Sequence, residues 1–282
     1  MKKYLFLSFL MLSINFVKAQ EGILFKIKFS PNHTYQIATN LSGTINTDLS
    51  GNKELTDKLA SQGITQPLVA TMQVGTNTIA TTGVISTDNS FPVTIVKSGT
   101  PAINVTINGK QIPIPTPKNA EMKFYGHVSS DGKLNLDSLA GKKLDDSTAA
   151  PFKKMMNNMI GAVNFPEHPI KVGETFSQTV PFNLPMANKG MAMNIKITYK
   201  LTSISGDNAY FDIAQTIDMQ MDMKGINISL TGNGSGKMIY SVKNNYPSNS
   251  NSDIKMFITV KSDKFNGVAT AKMSTSATYQ IN

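Results

Sequence analysis

The chain has 282 residues and a formal charge of +9, with 27 basic residues against 18 acidic ones. All of the basic residues are lysines, and Arg, Cys and Trp are absent. Without Cys there is no disulfide framework, zinc–thiolate centre or redox pair. Without Arg there is no guanidinium fork for phosphates or guanine edges, so the positive charge does not point to nucleic acid.

Residues 1–19 read as a secretory signal peptide. Lys2 and Lys3 precede an apolar stretch from Tyr4 to Phe16, and Val17-Lys18-Ala19 supplies small residues for cleavage after Ala19. At about 13 residues the stretch is shorter than the roughly 20 that span a bilayer. The expected mature protein is therefore periplasmic or extracellular, with no transmembrane segment. Its lysines are scattered, which suits solubility; the alternative is weak affinity for anionic lipid headgroups or acidic polysaccharide.

Period-two alternation dominates the rest. Leu24 to Phe29 reads as a strand with Phe25, Ile27 and Phe29 inward, followed by a strand from Thr34 to Leu41. Asn52 to Gln62 has helical spacing and ends at Gly63. Ile103, Val105 and Ile107 alternate into Asn108-Gly109, a type I′ hairpin signal. Met122, Phe124 and Val128 lead to the turn Ser130-Asp131-Gly132. Ala149 to Ile160 reads as a second helix, with Met155, Met156 and Met159 on one face. Residues 190–223 predict a long hairpin, turning at Ser205-Gly206-Asp207-Asn208. In its second arm Phe211, Ile213, Ile217, Met219, Met221 and Met223 share a face. Ile254 to Val260 and Ala269 to Ile281 alternate likewise.

Arms of this length belong to a large twisted sheet rather than a small sandwich. The expected fold is mainly β: a large curved antiparallel meander, half-barrel-like, with one or two short helices on its concave face. Three segment pairs recur in order: Asn32–Tyr35 with Gly173–Phe176, Ile85–Phe91 with Ile204–Tyr210, and Ile107–Gly109 with Met223–Gly225. They suggest a tandem duplication, with halves 20–148 and 149–282; turn chemistry alone could also produce such matches.

The stretch Phe165-Pro166-Glu167-His168-Pro169-Ile170-Lys171-Val172-Gly173-Glu174-Thr175-Phe176 resembles the signature of a domain-of-unknown-function family of secreted proteins and lipoproteins from Bacteroidota. That pattern runs Pro-x-x-Pro-Val-x-x-Gly-Asp-x-Trp, and Ile170, Glu174 and Phe176 depart from it conservatively. The resemblance implies an envelope protein and no established activity. By fold-level analogy it suggests the half-barrel carriers of lipoproteins or lipids.

Catalytic constellations are weak. His33, His127 and His168 lack metal-ligand spacing, and no Gly-x-Ser-x-Gly elbow is present. Thr231-Gly232-Asn233-Gly234-Ser235-Gly236-Lys237 fails the phosphate-loop pattern and reads as a bulged strand against which something packs closely. Asp218 and Asp222 lie on a polar strand face, and Asp145-Asp146 precede a helix. The sixteen methionines admit three readings: Cu(I) ligation, core filling, or a soft lining for an apolar ligand. The expectation is a non-enzymatic envelope protein without cofactor or metal. It would bind a lipid or acyl chain through Met155, Met159, Met219, Met221 and Met223. The alternative is an envelope structural or protein-interaction module with a filled core.

Overall fold

The computed structural model describes residues 22–61, 63, 65–112, 122–139, 142–143, 163–186, 189–223, 225–263 and 265–282. The signal peptide expected over 1–19 and the helix expected over 149–160 lie outside the described residues. The first half gives β1 (Thr34–Ser50), α1 (Lys53–Ser61), β2 (Leu68–Thr82), β3 (Phe91–Ile107), β4 (Lys110–Ile112), β5 (Met122–Val128), β6 (Leu134–Leu139) and β7 (Lys142–Lys143). The second gives β8 (Thr175–Met186), β9 (Lys189–Ser205), β10 (Asn208–Met223), β11 (Ile226–Ser241), β12 (Tyr246–Ser262) and β13 (Asn266–Ile281).

All the strands belong to one antiparallel sheet, in the order β7-β6-β5-β3-β2-β1-β13-β12-β11-β10-β9-β8, with β4 paired to β3. The sheet does not close; β7 and β8 end it. This is the large open meander that the alternation predicts. Its longest strands, β1, β3, β9 and β12, have 17 residues each, or about 55 Å at ~3.3 Å per residue. The helix expected over 52–62 forms as α1 in the β1–β2 connection and touches β1 alone among the described elements. No helix among the described residues is long and apolar enough to cross a membrane.

The two halves meet in β1. It pairs with β2 on one side and with β13 on the other, from Tyr35–Ile281 to Ser50–Asn266. First and last strands thus lie side by side in the middle of the sheet. The recurring segments fall before β1 and β8, between β2 and β3 and between β9 and β10, and after β3 and β10, but β1 lies mid-sheet and β8 at its edge. Asn32 and Gly173, both left-handed (φ 57 and 94), precede β1 and β8. Asn108 and Gly109 (φ 48 and 76) make the expected type I′ turn after β3, and Gly225 (φ 84) follows β10.

The end of the sheet where β1 begins and β13 finishes, here the upper end, carries an aromatic core on one face. One cluster gathers Phe29, Tyr35, Phe91, Ile95, Phe124 and Tyr246. A second gathers Phe25, Ile170, Tyr199, Leu201, Phe211 and Tyr240. Ile27 packs against both.

The strand expected over Leu24 to Phe29 does not join the sheet. Apart from one bridge, Ile23 to Ile170, residues 22–31 form an extended strap across the upper end. Its backbone is satisfied by turns and tyrosines instead of a ladder. Lys28 N–H donates to Asn245 O (3.1 Å) and Asn32 N–H to Gly83 O (3.1 Å). Tyr240 Oη donates to Lys26 O, and Ser30 N–H donates to Tyr35 Oη (2.7 Å). The alternation is real, because Phe25 and Phe29 both point into the core. Phe25 sits 5.3 Å from Phe165, 5.2 Å from Phe211 and 5.2 Å from Tyr240. Truncating a phenyl ring buried this deeply removes about 3–5 kcal/mol.

Burial raises the hydroxyl pKa of Tyr35, Tyr199, Tyr246 and Tyr279 above the ordinary 10.0, and pushes Tyr240 up to about 12. The folded chain therefore holds phenolic protons that the unfolded chain releases near pH 10. Stability from these groups is intact below about pH 10 and declines above it, that from Tyr240 being lost as pH climbs through about 12. The expected melting temperature is level through neutral pH and falls above about pH 10 in step with tyrosinate absorbance. A melting temperature unaffected by tyrosine ionisation would contradict this placement of the rings.

Candidate functional site

Below the aromatic core the same face becomes aliphatic and thioether-rich. Parity carries it there: on β10, Phe211 and Ile213 belong to the upper core, and Ile217, Met219 and Met221 continue on that face. Ile217, Met219, Ile228 and Leu230 are buried as a third cluster. Around them lie the partly buried Ile195, Met221, Ile226, Ile254, Met256 and Ile258. The strap and residues 163–170 cover the upper clusters only; none of these described residues enters the lower one.

The sheet is creased along β11. Gly232, Gly234 and Gly236 stand on the dry face opposite Ile217, Gln215 and Ile213 of β10. A Cβ on Gly234 would meet Ile254 Cγ1 of β12 (2.4 Å) and Gln215 Oε1 of β10 (2.9 Å); one on Gly236 would meet Asn251 O (2.1 Å). Side chains from both neighbouring strands thus close over the glycines, and β10 and β12 approach each other across β11. The close packing expected at this segment is present. The bulge expected there is not, because the β11–β12 register runs without a shift from Ile226 to Ile239 and breaks only at Ile239/Tyr240. Missing side chains, rather than an inserted residue, let the sheet bend.

Gln215 marks the boundary between aromatic and thioether zones. Its Oε1 is buried without a hydrogen-bond partner among the described residues, a condition that costs about 1–3 kcal/mol. Sequence reading passed over Gln215 because an amide on an apolar parity looks like a simple interruption. The buried acceptor emerges only when β10, β11 and β12 are placed together.

Of the residues singled out from sequence, Met219 is buried at the centre of the lower cluster and Met221 packs at its margin. The side chain of Met223, and both Met155 and Met159, lie outside the described residues. Met256, Leu230 and Ile228 join the site from strands whose pairing the sequence did not reveal. The histidines are dispersed. His33 Nδ1 lies 2.6 Å from Pro31 O, His127 pairs with Asp137 at 3.0 Å, and His168 is exposed. Among the described residues no group of three His, Asp or Glu could hold a metal ion. Asp218 is exposed on the polar face.

The recognisable stretch before β8 is architectural. Ile170 is buried and bridges the strap. Glu174 accepts from Lys171 N–H through Oε2 (2.8 Å), and Gly173 takes φ 94 while its N–H donates to Leu201 O (2.7 Å). Phe176 then stacks on Tyr199, 4.9 Å between centroids. An acid, a glycine and a large ring at these spacings make a turn that seats β8 against β9.

A family model described as a family of unknown function (DUF6263) matches residues 147–247. This similarity takes in β8 to β11, the signature turn and the glycine crease. A search of curated proteins finds no match to the chain.

Met219→Asp places an unpaired charge in the lower cluster and is expected to destabilise by about 3–5 kcal/mol. Gln220→Ala, one residue along on the exposed parity, should stay within about 0.5 kcal/mol. Chemical denaturation of both variants checks the assignment of faces; equal stability would reverse it.

Proposed function

We propose that this chain is an exported, non-enzymatic protein of the bacterial cell envelope that holds an apolar ligand, a lipid or an acyl chain, against the lower dry face. The observation that carries the reading is the contrast between the two ends of that face. Interlocked aromatic rings fill the upper end, with Phe25 and Phe29 driven in from the strap. The lower end has flexible thioethers and branched aliphatics, many of them only partly buried. Met adapts to irregular apolar shapes because its side chain is unbranched and polarisable. The crease at Gly232 to Gly236 makes this surface concave toward the apolar side. Gln215, which can offer a carbonyl or an amino group, stands where the polar head of such a ligand would end.

Export follows from the leader-like 1–19, and the envelope setting from the likeness of Phe165 to Phe176 to secreted Bacteroidota proteins. The absence of an enzymatic role is proposed on the dispersed histidines and on the structural employment of Glu174. The site comprises Met219, Met221, Met256, Leu230 and Gln215; thioethers here serve as lining and not as copper ligands.

The test uses cis-parinaric acid, whose fluorescence rises in apolar surroundings. Saturable binding displaced by palmitate is expected. It should weaken in the double variant Met221→Gln, Met256→Gln, which keeps side-chain length but adds amides at two partly buried positions. The melting temperature of that variant reports whether the sheet survives. Absence of saturable binding, or binding indifferent to the two substitutions in a folded variant, would overturn the reading in favour of an interaction module.

A further inference from the structure

The polar face of the sheet is not uniform. On β9 and β10 it carries alternating charges, including Lys196, Lys200, Asp212 and Asp218. Across the β13–β1–β2 seam charge is sparse, and on β13 beside this stretch Lys272 is the one outward-facing ionisable residue among the described residues. From Gln36 to Thr44 on β1 and from Thr71 to Ile79 on β2, no outward-facing residue is ionisable. Exposed surface is normally where charged side chains collect, so a strip of this length bordered only by Lys272 and Asp253 calls for its own explanation.

The strip is also hollow. Three neighbouring depressions of about 620, 510 and 280 Å³ run along it. The first two share Ser42 and Ser274, and the third begins one residue row above. Together they follow β1 from Gln36 to Thr44, about 27 Å at ~3.3 Å per residue. Small residues make the floor: Ala38, Ser42, Gly75, Ser274 and Ser276. Longer amides rise at the sides, with Gln73 and Asn104 on one and Asn251 on the other. A Cβ at Gly75 would come within 3.4 Å of Asn40 Oδ1, so the glycine keeps the floor low beside that amide. The β2–β3 register shifts between Gly75 and Asn77, a bulge bordering the same groove.

The lining is ordered, and its hydrogen-bonding capacity is only partly spent within the sheet. Ser274 Oγ donates to Asp253 Oδ1, and Thr71 Oγ1 lies 2.7 Å from Thr106 Oγ1. Among the described residues, the side chains of Asn40, Ser42 and Gln73 make no hydrogen bond. Each amide offers a donor and an acceptor side by side, a match for adjacent hydroxyls on one ring.

We propose that this groove binds a neutral, polyhydroxylated chain: a linear glycan lying along β1. The length and open ends suit a polymer. The lining holds two ionisable groups, Asp253, which accepts from Ser274, and Lys272 at the lower end, so an acidic polysaccharide finds a single cation to pair with along the groove. A peptide is disfavoured because β1 is paired on both sides, leaving no backbone edge for strand addition, and because the groove offers no apolar anchor pocket. Glycan binding on this face is independent of the acyl-chain reading on the opposite one.

Affinity electrophoresis of the full chain through gels containing dextran, mannan or mixed-linkage β-glucan tests the proposal, with alginate as the acidic comparison. Retardation by at least one neutral polymer is expected. The double variant Asn40→Val, Ser42→Val removes hydrogen bonds while favouring a strand. It should weaken retention by about tenfold, the equivalent of one or two hydrogen bonds, with an unchanged melting temperature. Ser276→Val probes the same groove from β13 should the double variant unfold, and Thr216→Val on the distant polar face should have no effect. No retardation by any neutral polymer, retardation indifferent to the groove variants, or salt-sensitive retardation by alginate alone would overturn the assignment.

Discussion

The antiparallel pairing of β1 with β13 is the constraint on which the rest of the molecule depends. It ties the chain's first strand to its last, from Tyr35–Ile281 to Ser50–Asn266. Remove it and the sheet becomes two meanders, each with a new unpaired edge of the kind that invites aggregation. The pairing also fixes parity. Because side chains alternate strictly, one register between β1 and β13 decides which face of the first meander continues which face of the second. Tyr35 and Tyr279 on one side of the sheet, and Ser42 and Ser274 on the other, follow from that single choice.

Continuity of the faces gives each its chemistry. On the dry face the upper end is locked by the strap. Phe25 and Phe29 enter different clusters, and Ile27 touches both, so one short segment fastens strands from both halves. Rings dominate there because they bury large area with few rotatable bonds. Lower down the rings give way to Met219, Met221 and Met256, which trade rigidity for adaptability. On the wet face the division runs across the strands: charges on β9 and β10, amides and hydroxyls over the β13–β1–β2 seam. Two distinct surfaces thus arise from one sheet without a separate domain for either.

What the sequence disclosed, and what it withheld, follows the range of the interactions. Local signals were legible. Asn108-Gly109 announced its hairpin, and the 190–223 alternation announced β9 and β10 with Phe211, Ile213 and Met219 on the correct face. Long-range pairing was not legible, because nothing in β1 names β13 as its partner across more than two hundred residues. β2 escaped notice for a different reason: its Thr, Gly and Asn residues blur the contrast between faces on which a period-two reading relies. The strap misled in the opposite sense, since alternation at Phe25 and Phe29 reports burial on one side and not membership of a ladder. Of the site, the methionines on β10 could be read from parity. Met256 was legible as one member of the Ile254 to Val260 alternation, but neither its place beside β11 nor the burial of Gln215 was, because both depend on β10 and β12 flanking the glycines of β11.

Amide hydrogen exchange along β1 and β13 tests the continuity of the sheet most directly. If the seam unites the molecule, amides of both strands exchange as slowly as those of β10 and β11 and open with them in one cooperative transition. Fast exchange confined to β1 and β13, with each meander protected separately, would contradict the account.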